Sequence, residues 1–141
     1  MNLLAMIVAA VFAGIALWHF RMAMQPMTGE SSAVPSVDGK PLFVPSRKST
    51  VIVGIVLTLF AALVAATGGI FTVGLPPVLL VWLSYALALG LLARAVGDFK
   101  YLGFFKRVRG SAFARLDSLV YSPLCLLLAV GVAFVARQHG A

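Results

Sequence analysis

Of 141 residues, 62% are hydrophobic and only 11% are charged, and the mean hydropathy is +1.05. Soluble domains carry about 25% charged residues, and so short a chain cannot hide this much apolar surface in a water-facing core; a water-soluble globular protein is excluded and the solvent is lipid. The net charge of +7 sits between long apolar runs, which directs it to anionic headgroups of membrane lipids and not to nucleic acid.

The first apolar run, MNLLAMIVAAVFAGIALWHF, covers residues 1–20 and contains no charge. A helix needs about 20 residues to cross a hydrocarbon core of about 30 Å, and this run is long enough. It has no Lys or Arg before Arg21 and ends in Trp18-His19-Phe20, unlike a cleaved signal peptide. A retained helix is expected, with its aromatic end at headgroup level.

The first connection contains AVPSVDGKPLFV. Both central positions of a type I′ turn need positive φ, which Asp-Gly supplies, so Asp38-Gly39 predicts a small hairpin or extended flap. Pro35, Pro41 and Pro45 keep its ladder short because proline donates no hydrogen bond.

The second span is predicted over residues 50–67, TVIVGIVLTLFAALVAAT. The connection GGIFTVGLP that follows is brief and uncharged. The third span starts at Pro77, which suits a first helical turn, and is predicted to run to Phe99. The fourth is predicted over residues 118–137, SLVYSPLCLLLAVGVAFVAR. The expected fold class is therefore all-α, with four transmembrane helices in a compact bundle, one domain over residues 1–141, and a flap in the first connection.

Four spans place the first and third connections on one side of the membrane and both termini on the other. Ten of the eleven cations fall on the first side: Arg21, Lys40, Arg47 and Lys48, then Arg94, Lys100, Lys106, Arg107, Arg109 and Arg115, against Arg137 alone. Short connections rich in Lys and Arg stay cytoplasmic. The expected location is the bacterial inner membrane, with both termini periplasmic. Lys100, Lys106, Arg107 and Arg109 are expected to reach lipid headgroups, while Phe99, Tyr101, Phe104 and Phe105 lie at the interface.

The stretch RAVGDFKYLGFFKRVRGSAFARLDSLVYSPLCLLL, with IALWHF and VPSVDGKPLFVPS before it, resembles a bacterial membrane family known as domain of unknown function 3995. The motifs GDFKYLGFFK and YSPLC are the most specific, and the resemblance covers nearly the whole chain. It implies a four-helix inner-membrane protein and supplies no activity. Where that family usually follows the histidine with Tyr-Trp, this chain has Phe20-Arg21.

Little familiar chemistry fits the remaining residues. Cys125 is the single cysteine, which removes Cys-x-x-Cys relays and disulfides and leaves it as a small apolar residue. His19 and His139 fall at opposite membrane faces, about 30 Å apart, too far to share a haem. Glu30, Asp38, Asp98 and Asp117 have no metal-ligand spacing, and no nucleophile-elbow, zinc-protease or phosphate-loop motif is present. No acid falls in mid-membrane, where proton coupling would need one. No cofactor, metal site or catalytic residue is therefore assigned.

Polar residues do gather at one depth. His19 and Arg21 end the first span, Arg94 and Asp98 end the third, and Arg115 and Asp117 open the fourth, with Tyr121 and Ser122 one turn deeper. Arg94 and Asp98, four apart, are expected to share a helix face, and Asp117 or Ser118 to cap the last helix. Pro123 is expected to kink that helix or begin its straight part, with Ser122 answering the freed backbone group. These eight residues form either a structural staple or a site for a lipid or small amphipathic anion. The leading function is ligand binding, or assistance to a partner, at the cytoplasmic face. A membrane-embedded enzyme on a lipid-like substrate, with His19 as acid or base oriented by Asp98 or Asp117, is the alternative, as is an oligomeric channel or transporter. A second copy of the chain or another membrane protein are the further candidate partners.

Overall fold

The computed structural model describes residues 2–25 and 34–140. Glu30 lies outside the described residues. The chain folds into α1 (Leu3–Ala23), β1 (Ser36–Val37), β2 (Lys40–Pro41), α2 (Arg47–Thr67), α3 (Pro77–Val96), α4 (Ala112–Leu116), a π-helical turn (Asp117–Tyr121) and α5 (Ser122–Gly140). The last three run on as one helix of 29 residues, so among the described residues four helices are long and apolar enough to cross a membrane. This is a multi-pass membrane protein.

Local chemistry sets each boundary. The Asn2 side chain accepts from the Ala5 N–H at 3.2 Å and caps α1. The Ser46 hydroxyl accepts from the Ser49 N–H at 3.1 Å, so α2 begins three residues before the predicted Thr50. Pro77 occupies the first turn of α3 as expected. That helix stops at Val96 and not at Phe99, because Gly97 turns to φ +90°. The fourth helix starts at Ala112, six residues before the predicted Ser118. Its cap is Ser111, whose hydroxyl accepts from the Ala114 N–H at 3.0 Å. Asp117 and Ser118 are therefore interior to the helix and cap nothing at its start.

The flap is the antiparallel pair β1–β2, with Ser36 opposite Pro41 and Val37 opposite Lys40. Its turn holds Asp38 at φ +51° and Gly39 at φ +74°, the positive pair that a type I′ turn requires. Each strand is two residues long: the Leu42 N–H still donates to the Pro35 carbonyl at 2.9 Å, but Pro35 has no N–H to return the bond and the ladder ends there.

α1 packs along α2, and α3 along α5. These two pairs meet over Ala5, Val8, Phe12, Val64, Leu87, Leu128, Val132 and Val135, which form the core. Small residues set the approach, as membrane helices require: a side-chain carbon added to Gly131 would lie 2.8 Å from Val8. Near the face that carries the 68–76 connection, the buried hydroxyls of Thr67 and Ser84 share a hydrogen bond of 3.0 Å. Outward surfaces are apolar, with Ile52, Leu59, Trp82, Leu89, Leu119 and Leu127 all exposed. That inversion of the soluble pattern is what a lipid solvent selects.

Candidate functional site

The site begins with a defect in the fourth span. Pro123 has no N–H to continue the ladder, and its ring crowds the carbonyl four residues back, at Leu119. The helix answers by widening: the Ser122 N–H donates to the Asp117 carbonyl, five residues back. A single π turn of this kind inserts one residue without ending the helix. Ser122 is buried and its hydroxyl makes no hydrogen bond among the described residues, so it does not answer the freed backbone group.

Within this turn Asp117 is fully buried. Its Oδ1 accepts from Arg94 Nη2 at 2.7 Å. Its Oδ2 accepts from the Gly103 N–H at 2.8 Å and from Lys106 Nζ at 3.0 Å. One carboxylate thus joins the end of α3, the 97–111 connection and the fourth span. Lys106 Nζ also donates to the Gly103 carbonyl at 2.9 Å and to Ser118 Oγ at 2.6 Å, so all three ammonium protons are used.

Lys106 corrects the sequence reading most sharply. It was expected at the headgroups with Lys100, Arg107 and Arg109, and those three are exposed. The Lys106 side chain is 1% exposed, because a buried carboxylate needs a buried cation more than the membrane surface needs another one.

The 97–111 connection that carries Lys106 is itself folded. Gly97 and Gly103, at φ +90° and +83°, press their backbones together, and a side-chain carbon on either would overlap the other strand of the loop. The Phe104 N–H donates to the Ala95 carbonyl at 2.9 Å, and the N–H groups of Arg107 and Val108 both donate to the Lys100 carbonyl. Asp98 is exposed and does not pair with Arg94, since α3 has already ended. Its Oδ1 instead accepts from the N–H groups of Lys100, Tyr101 and Leu102 at 2.7–2.9 Å. These donors, those of Leu102 and Lys100 above all, hold its carboxyl below the ordinary carboxylate range. The GDFKYLGFFK motif is therefore a structural device in which Gly97, Asp98, Gly103 and Lys106 each have a defined role.

Beside the Asp117 cluster lies a cavity of about 740 Å³ between the two helix pairs. Phe12, Leu57, Leu91, Leu124 and Leu128 line it together with the polar residues His19, Arg94 and Tyr121 and with Cys125. The Arg94 side chain is 32% exposed. Its Nη1 makes no hydrogen bond among the described residues. His19 Nδ1 lies 2.8 Å from the Ile15 carbonyl. A carbonyl only accepts, so Nδ1 carries a proton. The Phe113 and Tyr121 rings pack at 5.9 Å and close one wall. Gly14, Trp18 and Val120 also line the cavity and are exposed.

Of the eight residues read as a cluster, His19, Arg94 and Tyr121 line this cavity, and Asp117 reaches it through Arg94. Arg21 and Arg115 are exposed, Asp98 caps its own turn, and Ser122 is buried outside the lining. Sequence reasoning missed Lys106 and Gly103 as partners of Asp117, and Trp18 and Phe113 as cavity walls. Phe113 and Tyr121 stand two helical turns apart, a spacing that would have shown their common face once the helix start at Ser111 was recognised.

Residues 3–132 match the family model described as protein of unknown function (DUF3995). No curated protein and no solved structure matches the chain.

Proposed function

The chain belongs to the DUF3995 family of proteins of unknown function, and we propose that it is a non-enzymatic membrane protein that binds an anionic lipid in the groove between its two helix pairs. The observation that carries this reading is the lining. A cavity of about 740 Å³, lined mostly by apolar residues, carries one cation, Arg94. Ligand sites of this kind are mostly apolar with a few placed polar groups. On this reading a lipid chain enters past the exposed Gly14 and Val120 without leaving the bilayer. The enzymatic alternative loses support from His19, whose Nδ1 donates to Ile15 within its own helix; neither Asp98 nor Asp117 orients the ring.

Cys125 is the only cysteine and lines the cavity, which makes it a native reporter. In the detergent-solubilised protein, an anionic lipid at ten times its dissociation constant should slow alkylation of Cys125 by N-ethylmaleimide about tenfold, by mass action. A side-chain carbon on Gly14 meets nothing within 4 Å, so Gly14→Phe should fold and yet block that protection. Alkylation that no lipid slows would contradict the reading.

The same proposal places the protein in the bacterial inner membrane with the basic face in the cytoplasm. Exposed Arg21, Arg47, Lys48, Lys100, Arg107, Arg109 and Arg115 then meet the anionic leaflet, each contributing about 1 kcal/mol near the surface. Alkaline phosphatase fused after Ala141 should be active, and the same reporter inserted at Gly39 should be silent. The reverse pattern would invert the orientation.

A further inference from the structure

We propose that the outer surface of the fourth span carries a second lipid site, outside the groove, in which Ser118 and Arg115 take the phosphate of a membrane phosphodiester lipid. The starting observation is a hydroxyl beside a buried charge. Ser118 is exposed, yet its Oγ accepts from the buried Lys106 Nζ at 2.6 Å. Paired with the Asp117 carboxylate at 3.0 Å, Lys106 is an ammonium, with three donors and no lone pair. Its other two protons go to Asp117 Oδ2 and the Gly103 carbonyl. Ser118 is therefore the acceptor in this contact and keeps its own proton to donate, and among the described residues nothing accepts that proton. A hydroxyl that accepts from a charged donor becomes a stronger donor in turn. The same count excludes a serine nucleophile with Lys106 as its base, because this lysine has no lone pair with which to take the proton.

The surroundings of Ser118 select the acceptor. Arg115, also exposed, lies three residues earlier on the continuous fourth helix. That spacing puts the two Cβ atoms about 5–6 Å apart on one face, so two oxygens of one phosphate can meet both side chains. Arg115 makes no ion pair among the described residues, where the two pairs present belong to Arg94 and Lys106. On the membrane side of Ser118 the surface turns apolar at once, with Leu119 76% exposed and Leu127 70% exposed. A phospholipid matches both halves, donors at its phosphate and hydrocarbon along its chains. Inorganic phosphate matches only the first.

Native mass spectrometry of the protein released from detergent micelles counts bound lipids directly. Gly14→Phe fills the groove and leaves this surface untouched, so phosphatidylglycerol retained by that variant reports the surface site. In that background Ser118→Ala and Arg115→Gln should each weaken retention about tenfold, the scale of a hydrogen bond to a charged group. Ser118→Thr, which keeps the hydroxyl, should retain the lipid as the parent does. Arg107→Gln removes an exposed charge from the neighbouring connection and should change nothing. Diacylglycerol with the same chains should not be retained, and millimolar inorganic phosphate should not displace the lipid. Arg115→Gln touches no part of the Asp117 cluster, so it decides the matter should Ser118→Ala fail to fold. Undiminished retention in Arg115→Gln, or equal losses in Arg115→Gln and Arg107→Gln, would overturn the site and leave a diffuse basic surface. Displacement by inorganic phosphate would overturn the lipid assignment. Loss of all retention in Gly14→Phe alone would place the lipid in the groove and overturn this second site.

Discussion

Asp117→Ala is expected to lower the stability of the solubilised protein by about 3–5 kcal/mol, the cost of stranding one side of a buried ion pair. The carboxylate is fully buried and accepts three hydrogen bonds from two other parts of the chain: from Arg94 at the end of α3, and from the Gly103 N–H and Lys106 in the 97–111 connection. Removing it leaves the Lys106 ammonium, 1% exposed, with no counter-charge, and it releases the 97–111 connection from the fourth span. Water cannot rescue these groups cheaply next to hydrocarbon. Asp38→Asn alters an exposed hairpin turn and should be nearly silent, and it serves as the reference. Removing Lys106 as well, in Asp117→Ala with Lys106→Met, should recover part of the loss, because both ends of the pair are then gone. Thermal unfolding in one detergent compares all three, and a shift for Asp117→Ala no larger than for Asp38→Asn would mean the cluster does not hold the fold.

Gly103→Ala is expected to be strongly damaging for a single-carbon addition. The residue sits at φ +83°, and its added carbon would overlap Val96 and Gly97 backbone. The backbone conformation alone costs on the order of 1–3 kcal/mol for a residue with a side chain, and the overlap adds to it because neither neighbour can move without opening the loop. Gly103 also supplies one of the donors to Asp117, so displacing it disturbs the ion pair. Gly110→Ala in the same connection meets nothing within 4 Å and should leave unfolding unchanged. Equal effects at the two positions would refute the packed-loop account.

The four spans were legible because composition alone fixes them: runs of about 20 apolar residues have no other stable fold in lipid. The flap was legible for a different reason, the positive φ that Asp38-Gly39 accommodates. Errors arose where a residue's partner lies far along the chain. Lys106 reads as one more cation in the run from Lys100 to Arg109, and its pairing with Asp117, eleven residues away across a loop, follows no helical period. Asp98 was assigned to Arg94 by spacing four, a rule that fails once Gly97 ends α3. Hydropathy alone starts the fourth helix at Ser118, whereas the Ser111 hydroxyl caps it and starts it at Ala112. The π turn at Asp117 has no signature of its own, yet Pro123 requires some local adjustment of the helix just before it. The cavity was the least legible feature, since it depends on how two helix pairs meet and not on any residue within one of them.

The most direct measurement of the central claim is a high-resolution experimental map of the protein in nanodiscs that contain anionic phosphodiester lipid. The account predicts chain density lying between Gly14 and Val120 toward Leu128, with the head beside the exposed part of the Arg94 side chain. A groove closed by direct contact of α1 with α5, or a well-ordered map in which the cavity holds no lipid, would contradict it.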